Sequence, residues 1–138
     1  MKYFTIKELT KTSTGIANEP NQAQKANLVF LTENVLDPVR EKLGQPIIVT
    51  SGFRSPAVNK KVGGVSNSQH LSGQAADIRL KYRKDNVKLF QLINEMCIKG
   101  QIVFDQLIWE SGDKTSPAWV HVSYKQFGTN RKQVLYLR

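Results

Sequence analysis

The chain has 138 residues, 40% of them hydrophobic and 22% charged, which suits one domain (1–138) with a single buried core. Twenty Lys and Arg against eleven Asp and Glu leave a net charge of +9, a field that favours anionic partners such as nucleic acid, an acidic membrane or an acidic wall polymer. The composition excludes a disordered chain, and no apolar run is long enough to span a bilayer.

From the N-terminus, Met1 to Leu9 carries neither an apolar h-region nor a small-residue cleavage site. Synthesis in the cytoplasm is therefore expected, and action on a cell wall would need release by another factor. From about Ala23 to Leu43, apolar residues at Leu28, Leu31, Val35, Val39 and Leu43 follow helical spacing, with Gly44 where a C-terminal cap belongs. Pro38 falls inside this pattern and is expected to kink the helix. Pro46 to Ser51 is a β-branched run that reads as a buried strand ending at Gly52, and Ser55-Pro56 starts a short helix to about Val62.

Ala75 to Leu80 and Trp119 to Tyr124 alternate as strands do, and Asp105–Glu110 and Gln133–Leu137 complete four more strand candidates. Asp85 is expected to cap a helix with Val87, Phe90, Ile93 and Cys97 on one face. Cys97, the only cysteine, reads as a buried inert thiol, and no intramolecular disulfide is possible. With no repeat or linker and with helices and strands in separate groups, the expected class is α+β: a small, mainly antiparallel sheet with helices packed on one side.

Both histidines of the chain lie in unusual surroundings. His70 sits in the loop leading to Ala75-Ala-Asp-Ile, and His121 in Trp119-Val-His-Val-Ser. Strand alternation turns Asp77 and Arg79 away from Ala76, Ile78 and Leu80, and turns Trp119, His121 and Ser123 away from Val120 and Val122. With the apolar faces in the core, Asp77 and His121 look into a common groove that His70 can reach. Two imidazoles and one carboxylate are the three-ligand set of a catalytic zinc site, which keeps a fourth position open. A carboxylate must still move the proton during amide hydrolysis, and Glu110, ending the strand before the Ser111–Pro117 loop, is the candidate. Trp109 faces the opposite way and is expected in the core; Gly73 and the Gly63-Gly64 pair are expected to serve loop conformation.

Ser68-x-His-x-x-Gly-x-Ala-x-Asp77 followed by Trp119-x-His121 resembles the zinc D-Ala-D-Ala carboxypeptidases and endolysin-type L-Ala-D-Glu peptidases, a superfamily shared with lysostaphin-type enzymes and the hedgehog signalling domain. Ser51-Gly-Phe-Arg54 is similar to the family's upstream segment, so that the resemblance runs from Phe4 through Tyr124. It implies one Zn2+ per chain on His70, Asp77 and His121, with Glu110 as general base. It further implies that Arg54 holds a substrate carboxylate or the developing oxyanion, and that Ser68 binds the peptide; a planar guanidinium fork suits the first task. The chain departs from the family where many members carry an acid three residues before the last histidine, here Ala118, and where others carry the first histidine of His-x-His, here Trp119.

The resemblance thus implies a metallopeptidase acting on peptidoglycan stem peptides, and the missing signal peptide and single compact domain fit a phage-type or prophage protein. The alternative is a non-catalytic zinc-stabilised binding domain. No RRM, KH, helix-turn-helix or zinc-finger pattern is present, so no nucleic-acid partner is expected, and a monomer is.

Overall fold

A computed structural model describes residues 1–138. In chain order its elements are α1 (Ile6–Leu9), α2 (Gln22–Leu31), a π-helical turn (Thr32–Leu36), α3 (Asp37–Leu43), β1 (Ile48–Ser51), α4 (Pro56–Lys61) and a 3-10 turn (Gln69–Ser72). β2 (Ala75–Arg79), a second 3-10 turn (Arg83–Asp85), α5 (Asn86–Ile98), β3 (Gln106–Glu110), β4 (Trp119–Ser123) and β5 (Gln133–Leu137) follow. The strands form one sheet in the order β1-β2-β4-β3-β5. Every pairing is antiparallel except β3 with β5, which is parallel. This is the expected α+β architecture.

One face of the sheet makes the core. Ala76, Ile78, Leu107, Trp109, Val120 and Val122 pack against Leu89, Phe90, Ile93, Met96 and Cys97 of α5, and against Leu28, Leu31, Val35 and Val39 of the long helical segment. Trp109 and Cys97 are thus core residues, as their surroundings in the sequence suggest. Phe90 meets Trp109 edge-on at 5.3 Å, a favoured aromatic geometry.

Three local features differ from the sequence expectation. The helix from Gln22 to Leu43 takes up Pro38 by widening: the turn before it is π-helical, and the Asp37 N–H donates back to Thr32 O, five residues away. A proline ring inside a helix crowds the carbonyl four residues back and removes one hydrogen bond. Here Thr32 Oγ1 donates to Leu28 O at 2.8 Å and Asn34 Nδ2 donates to Phe30 O at 2.8 Å, so side chains engage carbonyls beside the distortion. Secondly, Asp85 occupies the N-cap of α5 without making a side-chain cap bond. The buried Ser116 hydroxyl does that work from the β3–β4 loop, accepting from Val87 N at 2.9 Å and donating to Arg83 O. Thirdly, α1 is a short helix that Thr5 caps by accepting from Glu8 N. The Thr5-x-x-Glu8 spacing was its signal in the sequence.

Candidate active site

The second face of the sheet carries the polar residues. Asp77 on β2 lies directly opposite His121 on β4, and His121 lies opposite Ile108 on β3. In the same direction Glu110 pairs with Trp119. A register irregularity in β1 between Val49 and Ser51 bends that strand's end beside Asp77. His70 enters from the 3-10 turn, which Ser68 caps by accepting from His70 N at 3.2 Å. α2 buttresses the turn: Gln24 Nε2 donates to Leu71 O at 3.2 Å and Asn27 Nδ2 to Ser72 O at 2.9 Å.

The expected residues come together. One ligand atom from each of His70, Asp77 and His121 lies within 4.8 Å of the others. His70 Nε2 is 3.3 Å from Asp77 Oδ1, and His121 Nδ1 is 3.0 Å from the same oxygen. His70 and Asp77 are buried, and the His121 side chain is 12% exposed. Burial pushes the Asp77 carboxyl up, but the two imidazoles beside it outweigh burial and hold the group well below the ordinary carboxylate range.

The donor chemistry fits a metal. His70 Nδ1 lies 2.6 Å from Gly52 O, a pure acceptor, so Nδ1 carries the proton and the lone pair of a neutral ring sits on Nε2. That lone pair faces a carboxylate oxygen, an arrangement that calls for a cation shared between them. A carbonyl partner on the outer nitrogen is also how metal-bound imidazoles are oriented. Gly52 is required for this contact: a Cβ there would stand 2.2 Å from Leu9 O.

Glu110, Arg54 and Ser68 line the same groove, of about 590 Å3, together with the three ligand candidates. Burial raises the Glu110 carboxyl above its ordinary value and the Asp77 charge adds to this, while His121, His70 and Arg54 pull the other way. Arg54 is more committed than its sequence context suggests. Its Nε donates to Ser51 Oγ at 2.9 Å, Nη1 to Asn59 Oδ1 at 3.2 Å and Nη2 to Asp77 Oδ2 at 3.1 Å. Ser51 and Asn59 are thus site residues that sequence reasoning missed. Gly64 belongs with them, since a Cβ there would lie 2.0 Å from Asn59 Oδ1 and 2.9 Å from Arg54 Nη1; close approach requires this glycine.

Sequence reasoning also missed an ion pair at the groove wall, between a fully buried carboxylate and a half-exposed arginine. Asp105, 0% exposed, accepts from Arg131 Nε at 3.0 Å, Arg131 Nη2 at 2.8 Å, the Arg131 backbone N–H and Gln69 Nε2. Hydrogen bonds from Arg131 outweigh burial and hold the Asp105 carboxyl down at about 2. No spacing rule links residues so far apart.

Fold and site together define a class: an α+β chain with a two-histidine, one-carboxylate cluster that could hold a metal ion, on the open face of its sheet. The chain belongs to the peptidase M15 family, whose model matches residues 2–123. That range agrees with the extent of the sequence resemblance. Over 77 residues it is 38% identical to the zinc D-Ala-D-Ala carboxypeptidase of Streptomyces albus G, a stretch covering 54% of this chain and 30% of that protein. No helix is long and apolar enough to cross a membrane.

Proposed function

We propose that the chain is a zinc peptidase hydrolysing peptide bonds in peptidoglycan stem peptides, with one Zn2+ held by His70, Asp77 and His121. The observation that carries this reading is the convergence of three donor atoms within 4.8 Å in a groove, in a chain of the peptidase M15 family. Zinc at such a site supplies Lewis-acid polarisation of the scissile carbonyl and lowers the pKa of water in its coordination shell.

The chain's own residues do the rest. Glu110 is the general base, taking a proton from the attacking water and returning it to the leaving amine; its raised proton affinity suits both transfers. Asp77 brings one oxygen beside both imidazoles and accepts from Arg54 Nη2 through the other. Arg54 sets the positive potential where the tetrahedral oxyanion develops. Ser68 fixes the His70 turn by accepting from His70 N through its hydroxyl oxygen, and offers the hydroxyl proton to the peptide. The relative's name favours D-Ala-D-Ala carboxypeptidase action, with L-Ala-D-Glu endopeptidase action as the second choice of bond. A net charge of +9 suits an anionic wall.

Metal analysis of the purified protein, with a digest of peptidoglycan, tests the proposal. One zinc per chain is expected, lost in His70→Ala, with free D-Ala or new amino termini released. Glu110→Gln should keep the zinc and lose about 10^2–10^4 in turnover. Zinc without cleavage would replace the enzyme by a zinc-stabilised binding domain, and a metal-free protein would refute the central claim.

A further inference from the structure

The groove holds two arginines, and their situations differ. Arg54 spends all three guanidinium nitrogens on Ser51, Asn59 and Asp77, and its side chain is 14% exposed. Two of its five N–H groups stay free, on a side chain with little open surface. Arg131, between β4 and β5, is half-exposed and lines the same groove. It docks on Asp105 through Nε and Nη2, a two-point contact that fixes the plane of the guanidinium and leaves Nη1 without a partner.

The support beneath Arg131 is unusual. Asp105 is entirely buried, and removing such a charge from water is costly unless it is well paired. Its carboxylate also accepts from Gln69 Nε2 at 3.0 Å, the side chain just before His70. Gln133 N donates to Asp105 O at 3.0 Å and Lys132 N to Phe104 O at 3.0 Å, which anchors the chain on either side of the arginine. A surface ion pair made only for stability would need none of this. The arrangement holds one guanidinium in a fixed plane, with its Nη1 edge free, in the groove that the ligand cluster also lines.

We propose that Arg131 is a specificity residue that binds a carboxylate of the substrate, so that the groove selects acidic peptides. This inference rests on the peptidase reading and deepens it: where the sequence resemblance gives Arg54 either a substrate carboxylate or the oxyanion, the geometry points to Arg131 for the carboxylate and leaves Arg54 the electrostatic role. The carboxylate is either the peptide's C-terminus or its glutamate carboxyl group, which share the same planar two-oxygen chemistry.

The test is a stem peptide with all carboxylates free, compared with the same peptide amidated at its C-terminus or at its glutamate carboxylate. Binding to zinc-loaded protein is measured by calorimetry, and kcat/KM in parallel. Wild-type protein should prefer the free acid over one of the two amides by about tenfold, the worth of one charge-assisted contact at a half-exposed site. The amide that loses affinity names the carboxylate. Arg131→Gln should bind acid and amide alike, with the loss in KM and kcat nearly kept, and Arg131→Lys should restore part of the preference. If Arg131→Gln fails to fold because Asp105 keeps only Gln69 and the more distant Lys125 as side-chain partners, the double variant Asp105→Asn/Arg131→Gln removes both charges and carries the comparison. A folded variant that keeps the preference overturns the proposal, as does wild-type protein that never discriminates. If no peptide is cleaved but the binding preference vanishes with Arg131, the hydrolase reading falls and the carboxylate site stands.

Discussion

Replacing Gly52 by alanine would put a methyl group 2.2 Å from Leu9 O and 2.9 Å from Leu9 C, backbone atoms that no rotamer change can move. Relief requires the end of β1 and the end of α1 to separate by about 1 Å, the gap to ordinary contact. The hydrogen bond from Phe53 N to Leu9 O, now 2.8 Å, would then exceed its limit and leave a buried donor unpaired. That loss costs about 1–3 kcal/mol. Loosened packing around Leu9, which is fully buried, adds about 1 kcal/mol more. A total near 3 kcal/mol is expected from urea denaturation with zinc chelated. The same shift draws Gly52 O away from His70 Nδ1, so zinc affinity in a chelator competition should fall about 10–100-fold. Gly100→Ala is the control: that glycine has φ 74° with open space around it, so only backbone strain of about 1 kcal/mol is expected, and no change in zinc affinity. Gly52→Ala within about 0.5 kcal/mol of wild type, or with unaltered zinc affinity, would refute this reasoning.

Two further predictions follow from pairs that cross the fold. The folded Asp105 carboxyl lies at about 2, below its ordinary 3.8, so its stabilisation is complete above the ordinary value and is lost as pH falls through about 2. The stability advantage of wild type over Asp105→Asn should therefore shrink by about 2 kcal/mol between pH 5 and pH 2, and a constant difference in urea titrations would contradict it. Ser116→Ala should cost about 1–2 kcal/mol by removing the cap of α5, against less than about 0.5 kcal/mol for Asp85→Ala; equal losses in thermal denaturation would restore the cap to Asp85.

Much of this molecule was legible in its sequence because its periods are clean. Leu28, Leu31, Val35 and Val39 mark a helical face, and the alternation in Ala75–Leu80 and Trp119–Tyr124 sorts core from groove and so places Asp77 and His121 on one side. What was hidden depends on contacts between distant segments. Ser116 reaches the start of α5 from 29 residues beyond Val87, and no local pattern distinguishes it from Asp85, which sits in the right place and does not act. β5 lies parallel to β3, a partnership set by how the Tyr124–Lys132 segment returns across the sheet end. Arg54 was found by motif, but Asn59, Ser51 and Asp77 restrict what it can hold, and only the fold reveals that.

The widened turn at Thr32–Leu36 has a consequence for the ligand cluster. A π turn carries one residue more than the α-helix it interrupts, so restoring a regular helix there would rotate everything downstream by about 100° and shift it by about 1.5 Å. Val35, Leu36 and Val39 are all fully buried, and such a rotation would carry them out of their places. The two halves of this one rod are therefore phased independently: α2 against the turn that carries His70, and α3 against α5. Pro38 locks the offset between them, much as a vernier screw holds two scales at a chosen difference, so the imidazole can be set without disturbing the packing behind it.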